Sequence, residues 1–515
     1  MAAVPTDSGS RPAAGARFFC TAGRGLEPFL MREVRARLAA TQVEYISGKV
    51  FFTTCSDLNM LKKLKSAERL FLLIKKQFPL NVSSVSKGKI LSEIQRLIND
   101  DPESWLNAIS TWKNLLELDA KKDKLFQRAA LFQRAANPPK RKVEENDIIS
   151  AKKLKTKQLQ ELQESGECLL EKQTEEETQE QGDFLTEREK SQEAFQNDVV
   201  KAADAKNQND LTFRVSCRCS GAIAKTFTAQ VHLPPKEVGR ITGIALMKQF
   251  GWKADLRNPN LEIFIHLNDI YSVVGIPVFR IPLASRAYIK TAGLRSTIAW
   301  ALASLAEIQA GAFVLDPMCG LGTILLEAAK EWPDVYYVGA DVSDSQLLGA
   351  YDNLKAAGLK NKIELLQVSV IDLPLPSESV DVIISDIPFG KKFKLGEDIK
   401  SILQEMERVL HVGGAIVLLL SEEHHRRLKD GEQSSIPLNS EGSHTGEPSI
   451  KKCLKPGGKT GTSETVSSSF EASSQECLDK TPPFGSLVPV ECHKVSLGRT
   501  DAFICKYRKL HSLGL

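Results

Sequence analysis

No apolar run in this sequence approaches the roughly 20 residues a membrane-spanning helix needs. The first 17 residues also lack the hydrophobic core of a signal peptide. The chain is therefore expected to be soluble and intracellular. Among its ten cysteines there is no Cys-x-x-Cys pair, which argues against zinc ribbons and thioredoxin-type redox motifs. The closest pair, Cys217 and Cys219, would share one face of a strand. These thiols read as reduced and structural. Charge of one sign is scarce too. A net charge of +4 over 515 residues is too little for a global field that gathers nucleic acid, so a binding face has to come from local clustering.

What is present falls into blocks. A short leader (1–16) is small and polar and reads as disordered. From 17 to 80, strand and helix signals alternate: a strand at 17–21, a helix with Phe29, Leu30, Val34 and Leu38 on one side, and strands at 43–46 and 49–52 about the Ser47-Gly48 turn. A basic amphipathic helix at 58–65 and a strand at 70–74 follow. This β-α-β-β-α-β order predicts a ferredoxin-like unit, assigned to 17–116. Residues 117–209 turn to Lys, Glu, Gln and Asp, and repeat LFQRAA at 125–130 and 131–136. Such a stretch buries too little apolar surface to offset its ordering entropy and is expected to be a disordered, charged linker, helical in places. Its basic clusters, Pro138-Pro139-Lys140-Arg141-Lys142 and Lys152-Lys153-Leu154-Lys155, fit either a bipartite nuclear import signal or a solvated charge run.

Order is expected to return at 210–275, with strands at 213–217 and 261–267 around a helix at 235–250. Basic residues outnumber acidic ones there, and Arg214, Arg218, Lys225, Arg240, Lys253 and Arg257 are candidates for a local basic binding face. A connecting segment with a helix at 294–308 (276–310) leads into alternating strands and helices from 311. The strands at 313–315, 335–340, 363–367, 380–385 and 415–420 predict a parallel sheet. A Ser/Gly/Thr/Glu-rich insert (429–483), expected to be disordered, separates it from a hairpin at 491–497 and 502–507. The catalytic block is thus 311–428 with 484–515.

Chemistry concentrates at the carboxyl ends of these strands. Leu315-Asp316-Pro317-Met318-Cys319-Gly320-Leu321-Gly322-Thr323 leaves one strand and opens a helix. Glycines there let the backbone approach a ligand, and the helix start offers free N–H donors. Position 325 is Leu, so the third glycine of the dinucleotide fingerprint is missing and NAD is disfavoured. Asp341 lies 19 residues past Gly322, where an open α/β sheet places the acid that grips ribose hydroxyls. Asp372 follows the third strand. Each acid alone could be a cap, but three on successive strands, with Met318 and Thr323 flanking the glycines, make a candidate S-adenosylmethionine pocket.

The fourth strand ends in Ser385-Asp386-Ile387-Pro388-Phe389-Gly390. An exocyclic amine is a poor nucleophile because its lone pair is delocalised into the base ring. A carboxylate (Asp386) and a backbone carbonyl (Ile387), each accepting one N–H, free that lone pair. Phe389, after Pro388, supplies a stacking face for a base drawn from its helix. Pyrimidine C5 methylation is excluded, because no cysteine follows Pro388 and Cys319 sits in the cofactor turn. His424-His425 could bind a metal, but the sequence places no third ligand beside them, and a solvated helix face is expected instead.

Asp386-Ile387-Pro388-Phe389 resembles the Asp/Asn-Pro-Pro-aromatic signature of amino-methyltransferases, with Ile387 in place of the first proline. Only the backbone carbonyl is needed there. Thr21-Ala22-Gly23-Arg24-Gly25-Leu26-Glu27, Gly48-Lys49-Val50-Phe51-Phe52, residues 211–267 and Leu294-Arg295-Ser296-Thr297 resemble successive parts of the THUMP-domain RNA guanine-N2 methyltransferases. The resemblance implies an α/β fold: a Rossmann-like class I methyltransferase domain preceded by an α+β ferredoxin-like and THUMP RNA-binding module. It further implies N2-methylguanosine formation in a small nuclear RNA or tRNA, and a small zinc-binding activator subunit. The import signal favours the small nuclear RNA and a nuclear location, with the cytoplasm as a second site. A non-catalytic RNA-binding scaffold and an adenine-N6 methyltransferase stay open as alternatives.

Overall fold

The fold was read from a computed structural model that describes residues 15–79, 87–136, 211–225, 235–389, 398–430, 484–498 and 500–511. Residues 1–14 of the expected leader, 137–209 of the linker with both basic clusters, and 431–483 of the insert lie outside these. The chain forms two compact units, one of residues 1–56, 60–72 and 277–515, the other of 57–59 and 73–276. Among the described residues no helix is long and apolar enough to cross a membrane.

The chain opens with β1 (Ala16–Thr21), α1 (Glu27–Leu38), β2 (Thr41–Ile46), β3 (Lys49–Thr54), α2 (Leu58–Leu61) and β4 (Arg69–Gln77). The strands pair antiparallel in the order β2-β3-β1-β4, as a β-α-β-β-α-β unit requires. Helix α2 stops four residues short of the predicted 58–65. The Lys65 and Ser66 amides instead donate to the buried Glu33 carboxylate of α1, at 2.8 and 2.9 Å. A side chain from another element thus takes the donors that a longer helix would have used.

In the second unit stand two helices that the sequence pattern does not predict, α3 (Lys87–Asn99) and α4 (Pro102–Ala136). The indole of Trp105 on α4 is buried, donates to Leu97 O and lies 6.3 Å from the Phe250 ring. Helix α4 continues through residues 117–136 of the expected linker. The repeated LFQRAA is built of good helix formers, and the first proline comes only at Pro138. Next come β5 (Thr212–Cys219), α5 (Ala222–Lys225), α6 (Pro235–Phe250), β6 (Lys253–Ala254), β7 (Leu261–Leu267) and β8 (Ser272–Pro277). Strands run β8-β7-β5-β6, with β5 parallel to both β6 and β7.

The first unit resumes at Pro277 and contains α7 (Ser296–Leu305), β9 (Phe313–Asp316), α8 (Thr323–Glu331), β10 (Tyr336–Asp341), α9 (Asp344–Ala357), β11 (Ile363–Gln367) and β12 (Val380–Asp386). It ends with α10 (Ile399–Val409), β13 (Leu410–Ser421), α11 (Glu422–Asp430), β14 (Leu487–Ser496) and β15 (Asp501–Lys509). The seven strands order β11-β10-β9-β12-β13-β15-β14. The first five are parallel, and β15 and β14 close the sheet antiparallel. Side chains alternate between two cores: Val314, Ile384, Leu419 and Ile504 face one, while Leu315, Ile383, Leu418 and Cys505 face the other. Strand order reverses at β9, flanked by β10 and β12. That switch point is where an open α/β sheet leaves a crevice beyond the carboxyl ends of its strands.

Candidate active site

The crevice is built from two turns that lock each other. Gly320 (φ 51°) and Gly322 (φ 74°) take left-handed backbone that a side chain would strain. Gly322 caps α8 without a side-chain partner, leaving the first-turn amides of α8 free for a ligand. The Gly320 amide donates to Asp341 Oδ2 and the Ser343 amide to Asp341 Oδ1, both at 2.9 Å. Asp341 thus holds the glycine turn in place while each of its oxygens keeps a further lone pair.

Asp316 is almost fully buried at the end of β9. Its Oδ1 accepts from Ser385 Oγ at 3.0 Å and from the Met318 amide at 3.3 Å. Its Oδ2 is buried and has no hydrogen-bond partner among the described residues. Burial pushes its carboxyl up to about 8, and the neighbouring charges of Asp386 and Asp341 add to the rise. Asp386, at the end of the adjoining strand, repeats the pattern: Oδ1 is buried without a hydrogen-bond partner among the described residues, and burial lifts the carboxyl to about 7. Ile387 is fully buried, its amide held by Leu419 O at 3.1 Å. Pro388 and Phe389 are half-buried, with Phe389 against the core. Thr323 Oγ1 is likewise buried and unpartnered among the described residues.

Unsatisfied buried carboxylate oxygens are costly, so two side by side mark a place for a ligand rich in N–H or positive charge. The residues fit a cofactor bearing an ammonium and a ribose: Asp316 for the first, Asp341 for the second, the Gly320–Thr323 turn for its carboxylate. Asp386 and the Ile387 carbonyl are left for an amine. Asp372 sits exposed in the turn after β11. Its charge acts on Arg408, which is paired first with Glu405.

Three contributors are not legible as site residues in the sequence. Ser385 stands inside the motif, but its hydroxyl has no distinctive pattern. Asn353 is fully buried on α9, accepts from the Lys290 and Thr291 amides, and donates to Thr291 O and Leu321 O. It fastens the connecting segment to the glycine turn. Arg286, in the same segment, pairs with Glu327 of α8 at 3.0 Å, with side-chain exposures of 4% and 0%.

The candidate RNA contacts are not one cluster. All six lie in the second unit. Alternation along β5 puts Arg214 and Arg218 on the face away from α6, whose Gly239 packs on Val215 and Cys217. Arg240 stands exposed on α6 itself. Arg214 is bonded to Glu262 at 2.8 Å and Arg240 to Glu237 at 2.6 Å. Arg218, Lys225, Lys253 and Arg257 are exposed. His424 and His425 correct an expectation: the pair is buried, at 8% and 5% exposure, where a solvated face was predicted. Helix α11 turns that side onto β15, and His425 stacks on Phe503 with ring centres 4.1 Å apart.

Residues 284–430 match the family described as RMKL-like, methyltransferase domain. Over 514 residues, covering 100% of both chains, the protein is 76% identical to the Bos taurus U6 snRNA (guanine-N(2))-methyltransferase THUMPD2. It is 27% identical to the Bos taurus tRNA (guanine(6)-N(2))-methyltransferase THUMP3, over 78% of this chain and 80% of that one. Its fold is similar to that of TrmN from Thermus thermophilus, with a TM-score of 0.51 at 18% identity, covering 96% of this chain and 99% of that one.

Proposed function

The chain belongs to the RNA guanine-N2-methyltransferases of the U6 snRNA type, and from that membership we propose that its substrate is U6 small nuclear RNA and that Asp386 receives the target amine. It is an S-adenosylmethionine-dependent enzyme that forms N2-methylguanosine, so the scaffold and adenine-N6 readings give way. The observation carrying the assignment of roles is the buried Asp386 Oδ1, which has no hydrogen-bond partner among the described residues, next to Asp316.

When bound, S-adenosylmethionine supplies an electrophilic methyl group. This chain's residues do the rest. Asp316, Asp341 and the Gly320–Thr323 turn, with Met318 beside it, hold the cofactor, and Asp372 supplies a further acceptor at the rim. Asp386, in its ionised form, and the Ile387 carbonyl each accept one N–H of guanine N2, which turns the nitrogen lone pair out of conjugation. Phe389 stacks the base, with Pro388 fixing the turn. Arg218, Lys225, Lys253 and Arg257 contact RNA phosphates, with Arg214 and Arg240 contributing after exchange of their carboxylate partners. A small zinc-binding activator subunit and a nuclear location complete the reading, supported by the family resemblance and by the basic clusters at 138–155.

The test is transfer of a labelled methyl group to U6 and to tRNA transcripts, with digestion to nucleosides. N2-methylguanosine in U6 alone, lost in Asp386→Ala while RNA affinity stays within a few-fold, supports the reading. Methylation of tRNA alone, or an active Asp386→Ala enzyme, overturns it.

A further inference from the structure

Away from the crevice, the buried His425 meets two cysteines. Cys492 of β14 and Cys505 of β15 are direct partners across the antiparallel pair. Neither is in a disulfide and both are buried, with sulfurs 2.7 Å apart. His425 Nε2 lies 3.6 Å from Cys492 Sγ. All three donor atoms fall within 4.8 Å of one another. A triangle of this size encloses a point roughly 2.3 Å from each donor, which is the length of a zinc–sulfur bond. On the same face of β15, two residues from Cys505, Tyr507 has a buried hydroxyl with no hydrogen-bond partner among the described residues. The stacking of His425 on Phe503 holds the imidazole edge toward the sulfurs.

We propose that His425, Cys492 and Cys505 form a structural zinc site, with the Tyr507 hydroxyl or a water on the fourth side. Two thiolates and an imidazole are a soft donor set that selects zinc over magnesium or calcium. The sulfurs part by roughly 1 Å, through side-chain rotation, to reach tetrahedral angles. Metal binding displaces a proton from each thiol. The position explains the need. His425 precedes residues 431–483 and both cysteines follow them, so the metal clips together the two ends of a long insertion whose closure is entropically unfavourable. It also anchors α11 where β13 ends, beside the Leu419 carbonyl that holds Ile387.

The full-length chain, with any bound subunit and that subunit assayed alone in parallel, is purified in reducing buffer and its zinc counted by mass spectrometry. One zinc per chain beyond the subunit's own is expected, lost in Cys505→Ser and in His425→Gln. Cobalt(II) put in its place should show a thiolate charge-transfer band that Cys505→Ser lacks. If those variants fail to fold, mercurial titration of the unmutated chain answers instead. Release of one zinc in step with thiol modification supports the site. A metal-free chain with freely reacting thiols, or a Cys492–Cys505 disulfide, overturns it.

Discussion

Ser385 Oγ donates to Asp316 Oδ1 at 3.0 Å across neighbouring parallel strands, so the cofactor strand and the target-base strand share one buried hydrogen bond. Removing it in Ser385→Ala leaves Asp316 with a single amide donor. A hydrogen bond to a charged group contributes about 1.5–3 kcal/mol. Cofactor affinity measured by calorimetry should therefore fall about ten- to hundredfold, and an unchanged affinity would show that the bond is incidental.

Asp316 also makes the cofactor-free protein sensitive to pH. Its folded carboxyl titrates at about 8, against roughly 3.9 when unfolded. Between those values the folded state holds a proton that the unfolded state has lost. Its contribution to stability is therefore full at low pH and declines as pH rises, levelling off above about 8. Asp316→Asn cannot ionise. Its melting temperature relative to the unmutated protein should climb from pH 5 to pH 8, and a constant difference would rule out the buried proton.

The Arg286–Glu327 pair joins the connecting segment to the cofactor helix in a nearly solvent-free setting. Arg286 also donates to the Leu283 and Lys65 carbonyls, and Tyr288 Oη donates to Glu327 at 2.6 Å. Arg286→Ala leaves Glu327 a buried charge without its cation, held only by the Tyr288 hydroxyl among the described residues, and should cost about 3–5 kcal/mol in denaturant unfolding. Arg286→Met combined with Glu327→Leu should recover much of that loss. A mild single variant would mean that water reaches Glu327.

These cases show which features the sequence discloses. Strand order around β9, β10 and β12 is legible because apolar runs end at acids and glycines, a local pattern. Contacts between distant segments are not. Asn353 reads as one polar residue on a helix until Lys290 and Thr291 come to it. Cys492 and Cys505 are 13 residues apart, and Cys492 stands 67 residues from His425, so no spacing rule places the three together. Charge counting has the same limit. It found Arg214 and Arg240 but not the glutamates that hold them.

Asp386 carries the last prediction. Its carboxyl is lifted by burial to about 7, inside the range where activity is assayed. The amine N–H bonds need an ionised acceptor, so the protonated form is the inactive one. kcat/KM reports the free enzyme and should rise through about pH 7, then level off. Bound cofactor brings positive charge, which favours the carboxylate, so the rise in single-turnover rate with saturating cofactor should fall at lower pH. Asp386→Asn keeps the shape but offers one acceptor and a competing donor. It should lose at least about a hundredfold in rate and lose the pH dependence with it. A flat profile in the unmutated enzyme between about pH 5.5 and 8.5 would mean that Asp386 is already ionised in the working site. The unpartnered oxygen would then have a cation beside it before RNA arrives.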